Sequence, residues 1–325
     1  MTTIPVATGD TIDTDTLGTT LMHEHVFVRT PDVAWDWDGG WGDTEQRVAD
    51  AIARLDDLKA GGVDTIVDLT VPGNGRDAAM LKRIAGETAL NIVVATGWYT
   101  YESLPPSFHW RSLLGGGTEA VLTDWFVRDI EEGIADTGVR AGILKCVTDE
   151  AGLTRDVEAI LRAVARTHRR TGVPISTHTH AASRNGLVQQ RVFEEEGVDL
   201  SRVVIGHSGD TTELDYLEEL IGNGSYIGMD RFGVDATLGF EERVGVVADM
   251  CERGHAGQMV LSHDAACYID WFDEEMLKAS TPNWHFLHIT NDVVPALQAR
   301  GVTDEQVNQM LVENPRRIFE AQGGY

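Results

Sequence analysis

The sequence predicts an α/β fold: a single (β/α)8 TIM barrel over residues 1–325, with a short N-terminal cap and extended loops after the third and eighth strands. Two observations carry this expectation. Short apolar runs alternate along the chain with stretches of helical, 3.6-residue periodicity. No linker or low-complexity segment divides the chain. A doubly wound open sheet is the alternative, but no glycine-rich phosphate loop follows the first strand.

Residues 1–19 are turn-rich and read as the cap. The first strand is TLMHEHVFV (20–28). A helix over 44–60 follows, with Val48, Ile52, Leu55 and Leu58 at helical spacing, and "KAGG" closes it. The second strand is TIVDLT (65–70) and the third NIVVATGWYT (91–100), which leads into an irregular stretch, 101–121. The stop "ADTG" precedes the fourth strand, AGILKCVTDE (141–150). In the next helix, 154–170, Val157, Ile160, Leu161 and Val164 recur before "RRTG". Strands five to eight are VPISTHTH (173–180), RVVIGHSGD (202–210, after "EEEG"), SYIGMDRFG (225–233) and QMVLSHDAA (258–266). A second irregular stretch, 267–290, comes last, and a barrel places both stretches over its catalytic face.

Composition narrows the function. At 42% hydrophobic the chain can bury a sizeable core; with no 18-residue apolar run and no charged-then-apolar stretch at the start of the sequence, neither a membrane span nor a secretory signal is expected. Net charge is −26, from 52 acids against 26 bases, which disfavours nucleic acid and anionic membranes as partners. The cysteines, Cys146, Cys251 and Cys267, are scattered and odd in number, as fits a reducing cytoplasm. Cys146 reads as a buried strand residue rather than a nucleophile.

The chemistry lies at the strand ends. His23 and His25 share one face of the first strand, with Glu24 on the other. Strand five ends in His178, with His180 two residues on; strand six ends in His207 and strand eight in His263-Asp264. A lone strand histidine is more often hydrogen-bonded core than ligand, but this set gathers at the face where barrels build active sites. Lys145, ending strand four, would ordinarily be exposed or paired with Asp149 or Glu150. Beside metal ions it has another use: a neutral lysine that takes up CO2 becomes a carbamate, an anionic ligand able to bridge two cations. Four histidines, the carbamate and Asp264 suffice for a binuclear centre.

The wording "TLMHEHVF", "GILKC", "STHTH", "VVIGHSGD", "GMDRFGVD" and "LSHD" resembles the phosphotriesterase-like lactonases of the amidohydrolase superfamily, including bacterial acyl-homoserine lactonases, from about residue 8 to 322. The resemblance implies that His23, His25 and Asp264 hold one metal and His178 and His207 the other. Carboxylated Lys145 and a hydroxide would bridge them. Zinc is the expected ion, with cobalt, manganese or iron as alternatives. His180 and His263 match no ligand position. The resemblance also implies that Tyr99 contacts the lactone ring, that Arg231 lines the site and that Trp271 lines an acyl-chain channel. From the residues alone, Tyr99 could be a packing residue, the rival reading of Trp271 is a surface or packing tryptophan, and Arg231 could be paired with Asp230 or Asp235.

The implied activity is hydrolysis of N-acyl-homoserine lactones, silencing quorum signals, with promiscuous organophosphate triesterase activity and Asp264 as proton shuttle. The implied assembly is a cytoplasmic homodimer acting on a small-molecule lactone. A primary phosphotriesterase (aryldialkylphosphatase) is the alternative. A catalytically dead metal-binding scaffold is disfavoured by the intact ligand set, and a nuclease by charge and Lys145.

Overall fold

A computed structural model describes residues 2–37, 39–320 and 323–325. None of the expected site residues falls on the remaining positions. Two strands, β1 (Thr3–Pro5) and β2 (Thr11–Asp13), form an antiparallel hairpin in the expected cap. The eight barrel strands follow: β3 (Thr20–Val28), β4 (Thr65–Asp68), β5 (Asn91–Gly97), β6 (Ile143–Thr148), β7 (Ile175–Thr179), β8 (Val203–Ile205), β9 (Tyr226–Met229) and β10 (Met259–Leu261). A further strand, β11 (Ala266–Ile269), pairs in parallel with β3. All neighbours in the order β10-β9-β8-β7-β6-β5-β4-β3-β11 are parallel.

The barrel closes between its first and last strands. After Leu261 the chain crosses to β3, where Asp264 N–H donates to His23 O and His25 N–H donates to Ala265 O. Its interior packs Met22, Val67, Val93, Ala95, Ile143, Val204 and Val260, and Ile4, Leu17 and Phe319 join this cluster. A second cluster lies between sheet and helices, with Ile66, Ile92, Leu144, Ile175 and Ile205 against helical residues such as Leu55, Leu58, Ile160 and Leu161. This division is the period-two alternation of strands buried on both faces. Among the described residues, no helix is long and apolar enough to cross a membrane.

Several boundaries differ from the expected ones. Most barrel strands are shorter, because residues at their C-terminal ends leave the ladder to face the site. The stretch 101–121 is largely helical (Pro106–Gly115, then Thr118–Glu131), with proline at the start of the first helix. The stretch 267–290 holds β11 and the helix Glu274–Ser280, which buries no residue and so lacks an apolar stripe to read. In helix Thr44–Ala60 the buried set is Val48, Ala51, Leu55 and Leu58, with Ile52 only half-buried. The "ADTG" stop closes no helix, since the preceding one ends at Glu131.

Candidate metal-dependent active site

The C-terminal ends of the strands converge on one cavity of about 410 Å³. His23, His25, Lys145, His178, His207 and Asp264 all line it, together with Tyr99, Arg231 and Trp271. Every expected site residue is therefore brought to the same place. Close packing of backbones sets up the lysine. A Cβ on Gly97 would sit 1.8 Å from Lys145 O, and the φ of +143° at this position suits glycine alone. β5 and β6 therefore pair with Gly97 opposite Lys145.

Lys145 is 1% exposed, and its Nζ lies 2.8 Å from His23 Nε2. Neither acid suggested by the sequence pairs with it: Asp149 instead accepts from His178 Nε2. Among the described residues no carboxylate lies within ion-pair distance of Lys145. Burial lowers its pKa to about 8, although Asp264 and Asp230 pull the other way.

The ring nitrogens are sorted by their hydrogen bonds. His23 Nδ1 bonds Asp230 Oδ2 at 2.9 Å, and His207 Nδ1 bonds Asp230 Oδ1 at 3.0 Å. His25 Nδ1 bonds Thr70 Oγ1 at 2.8 Å. Each of these three rings therefore turns Nε2 toward Asp264, at 3.4, 3.7 and 3.1 Å respectively. His178 is the reverse. Asp149 occupies its Nε2, leaving Nδ1 as its unclaimed nitrogen. Holding one nitrogen with a carboxylate or hydroxyl fixes the tautomer and the orientation of a metal-binding histidine.

Burial, then the nearby Lys145 charge, lowers the His23 pKa; burial lowers that of His178 to about 4 and that of His207 well below its ordinary value. Burial alone would raise Asp264, but His23, His207, His25 and Arg231 outweigh it and hold the carboxyl well below the usual range. Neutral imidazoles beside an anionic carboxylate are the states that bind metal. Donor atoms of His23, His207 and Asp264 lie within 4.8 Å of one another. These residues fit a divalent cation.

Arg231 spans two acids, neither of them suggested by the sequence. Its Nε donates to Asp264 Oδ2 at 3.1 Å and its Nη1 to Asp210 Oδ2 at 2.9 Å. Asp210 is in turn held by Arg243 at 2.7 Å. Tyr99 hydroxyl meets that of Tyr101 at 3.0 Å, and burial, then Tyr101, raises the Tyr99 pKa well above its ordinary value. It thus remains a hydrogen-bond donor. The Trp271 ring, 41% exposed, lies 5.7 Å from that of Tyr99.

His180 turns to Ser183, and His263 is bonded between Glu24 and Ile289 N–H. His109, His168, His255, His285 and His288 do not line the cavity. Sequence reasoning missed Asp149, Asp230 and Tyr101. Asp230 did carry a signal, since it directly follows β9, much as His207 follows β8 and Asp264 follows β10. Asp230→Asn leaves one acceptor oxygen for two imidazoles. It is expected to weaken metal binding by roughly 10–100-fold, measured by chelator competition; unchanged affinity would show that the two rings need no such anchor.

Over residues 4–319 the chain matches the Phosphotriesterase family. The chain belongs to the phosphotriesterase family. Family membership makes it a hydrolase of a binuclear metal enzyme family, and the His/Asp cluster is a site of the matching kind. It is similar to a solved phosphotriesterase from Mycobacterium tuberculosis, with 62% identity and a TM-score of 0.97 over 99% of this chain and 100% of that one. It is 37% identical to the aryldialkylphosphatase of Saccharolobus solfataricus, covering 97% of this chain and 99% of the relative. A mutant PTE-like lactonase of Deinococcus radiodurans superposes with a TM-score of 0.90 at 35% identity, over 97% and 99% of the two chains. These phosphotriesterase-family likenesses bear out the barrel expected from the strand pattern.

Proposed function

We propose that this phosphotriesterase-family chain is a binuclear metal-dependent lactonase. Its substrates are N-acyl-homoserine lactones, so it quenches quorum signals, and it hydrolyses organophosphate triesters promiscuously. The observation that carries this reading is the aromatic wall beside the donors, where Tyr99 and Trp271 face the same cavity as Asp264. The likeness to a PTE-like lactonase supports it.

His23, His25 and Asp264 would hold one ion and His178 and His207 the other, with Lys145, carboxylated by CO2, between them. Zinc is the proposed metal. When bound, the ions supply Lewis acidity and lower the proton affinity of water. The chain's residues do the rest. Asp264 takes the proton of the attacking water as the new C–O bond forms, then returns it to the ring alkoxide as the old C–O bond breaks. One hydroxy acid results. Arg231 holds Asp264 in place and keeps it anionic until it takes the proton. Tyr99 donates to the lactone ring, steadied by Tyr101. We also propose a cytoplasmic homodimer without nucleic-acid or membrane partners; the acidic charge of −26 supports the second half of that reading, against nucleic acid and anionic membranes.

Chain-length dependence tests the wall. Each methylene buried contributes about 0.8 kcal/mol, so kcat/KM should rise by up to roughly fourfold per added methylene until the cavity is filled. Trp271→Ala should flatten that rise while sparing short-chain lactones and aryl triesters. The alternative, a primary phosphotriesterase, is favoured by the aryldialkylphosphatase relative. Rates for one acyl-homoserine lactone and one aryl triester at equal metal loading decide between them. Triesters faster by orders of magnitude, or no dependence on acyl length, would overturn the lactonase reading.

A further inference from the structure

Glu24 stands between two proposed metal ligands, yet its side chain points away from the cavity and is 0% exposed. Its carboxylate oxygens accept four hydrogen bonds. Oε1 accepts from Ser262 Oγ at 2.8 Å, from His263 N–H at 2.9 Å and from His263 Nδ1 at 2.7 Å. Oε2 accepts from Ala265 N–H at 2.9 Å. One carboxyl thus grips the residues on both sides of Asp264. That turn needs a grip, because Asp264 has a φ of +57°, a left-handed conformation costly for a residue with a Cβ.

The grip reaches further in two directions. Ser262 Oγ, donating to Glu24, also accepts from His23 N–H at 2.9 Å, tying the turn to the ligand-bearing strand. His263 spends its other ring nitrogen as the acceptor for Ile289 N–H, and its carbonyl accepts from Trp284 Nε1 at 2.8 Å. Trp284 lines the substrate cavity. Glu24 and His263 therefore join the donors, the turn carrying Asp264 and one wall of the pocket into one hydrogen-bonded unit.

We infer that Glu24 is a positioning residue for Asp264: by clamping the 262–265 turn it fixes where the proton-accepting carboxylate stands. The inference rests on the proposed role of Asp264. Glutamine is the informative replacement, since it keeps the shape and one acceptor but presents an amino group to a backbone donor. A buried donor facing a donor forces the turn to shift.

The experiment is a double-mutant cycle on zinc-loaded enzyme with a lactone substrate. Misplacement of a reacting group by about 1 Å can cost on the order of 10²-fold, so Glu24→Gln should lower kcat by roughly 10–100-fold with little change in KM. Zinc affinity, read by chelator competition, should weaken by about tenfold, as for loss of an outer partner of a ligand. In an Asp264→Asn background the same Glu24→Gln change should slow kcat by less than about twofold, because residues acting through one another are not additive. Should Glu24→Gln fail to fold, Ser262→Ala removes one arm of the clamp and enters the same cycle, with the same lack of additivity expected. An equal loss in both backgrounds, or parental kcat in Glu24→Gln beside a slow Asp264→Asn, sinks this inference alone. Parental kcat in metal-loaded Asp264→Asn removes the proton role itself, and this inference with it.

Discussion

Lys145→Ala is expected to leave the protein folded but with fewer than two metal ions per chain. Its hydrolytic rate should fall at least as far as the roughly 10²–10³-fold that removal of one preorganised electrostatic group costs. The expectation comes from placement. The lysine is almost wholly buried, within hydrogen-bond reach of His23 Nε2 and, among the described residues, without a carboxylate partner. A permanent cation there would repel bound metals, whereas a carbamate would bind both. Alanine removes the whole ligand and leaves a hole lined by polar groups. A short-chain carboxylate such as propionate should enter that hole and restore part of the activity. Two ions retained in Lys145→Ala, counted by elemental analysis, would show that the lysine is no ligand.

Asp264→Asn should separate binding from chemistry. The amide keeps the shape and one oxygen donor, but it cannot take a proton and no longer pairs with Arg231, whose Nε donates to Oδ2 at 3.1 Å. Loss of a positioned general base costs typically 10²–10⁴-fold, so kcat should fall within about that range while bound metal stays near the parental level. Metal analysis beside steady-state rates on one preparation settles the matter. Equal loss of metal and rate would make Asp264 a ligand only, and unchanged kcat would end its role as shuttle.

The barrel and the residues gathered in its cavity were legible because both rest on periodicity and placement. Strands buried on both faces write themselves as apolar runs. A histidine or lysine ending such a run has nowhere to point except the cavity or the helical layer. What escaped the sequence depends on pairing across distance. Nothing local says that Asp230 reaches both His23 and His207, or that Arg231 pairs with Asp210 and Asp264 rather than with its neighbours Asp230 and Asp235. Glu24 was legible as facing away from His23 and His25, but not as holding a turn far along the chain. The helix Glu274–Ser280 escaped for another reason: with no buried residue, its sequence has no apolar stripe.

The proposed donors come from β3, β6, β7 and the segments just after β8 and β10, whereas Trp271, Phe272, Leu277 and Trp284, which line the same cavity, follow β11. Much of the cavity wall is thus written apart from the proposed donors, although Tyr99 and Arg231 are not part of that stretch. Under the proposed function, substitutions at Trp271, Phe272 or Leu277 would reshape the cavity wall without touching a proposed donor, whereas Trp284 is tied through His263 to the turn that carries Asp264. Substrate preference could then shift by small changes in that wall while the proposed donors stay in place.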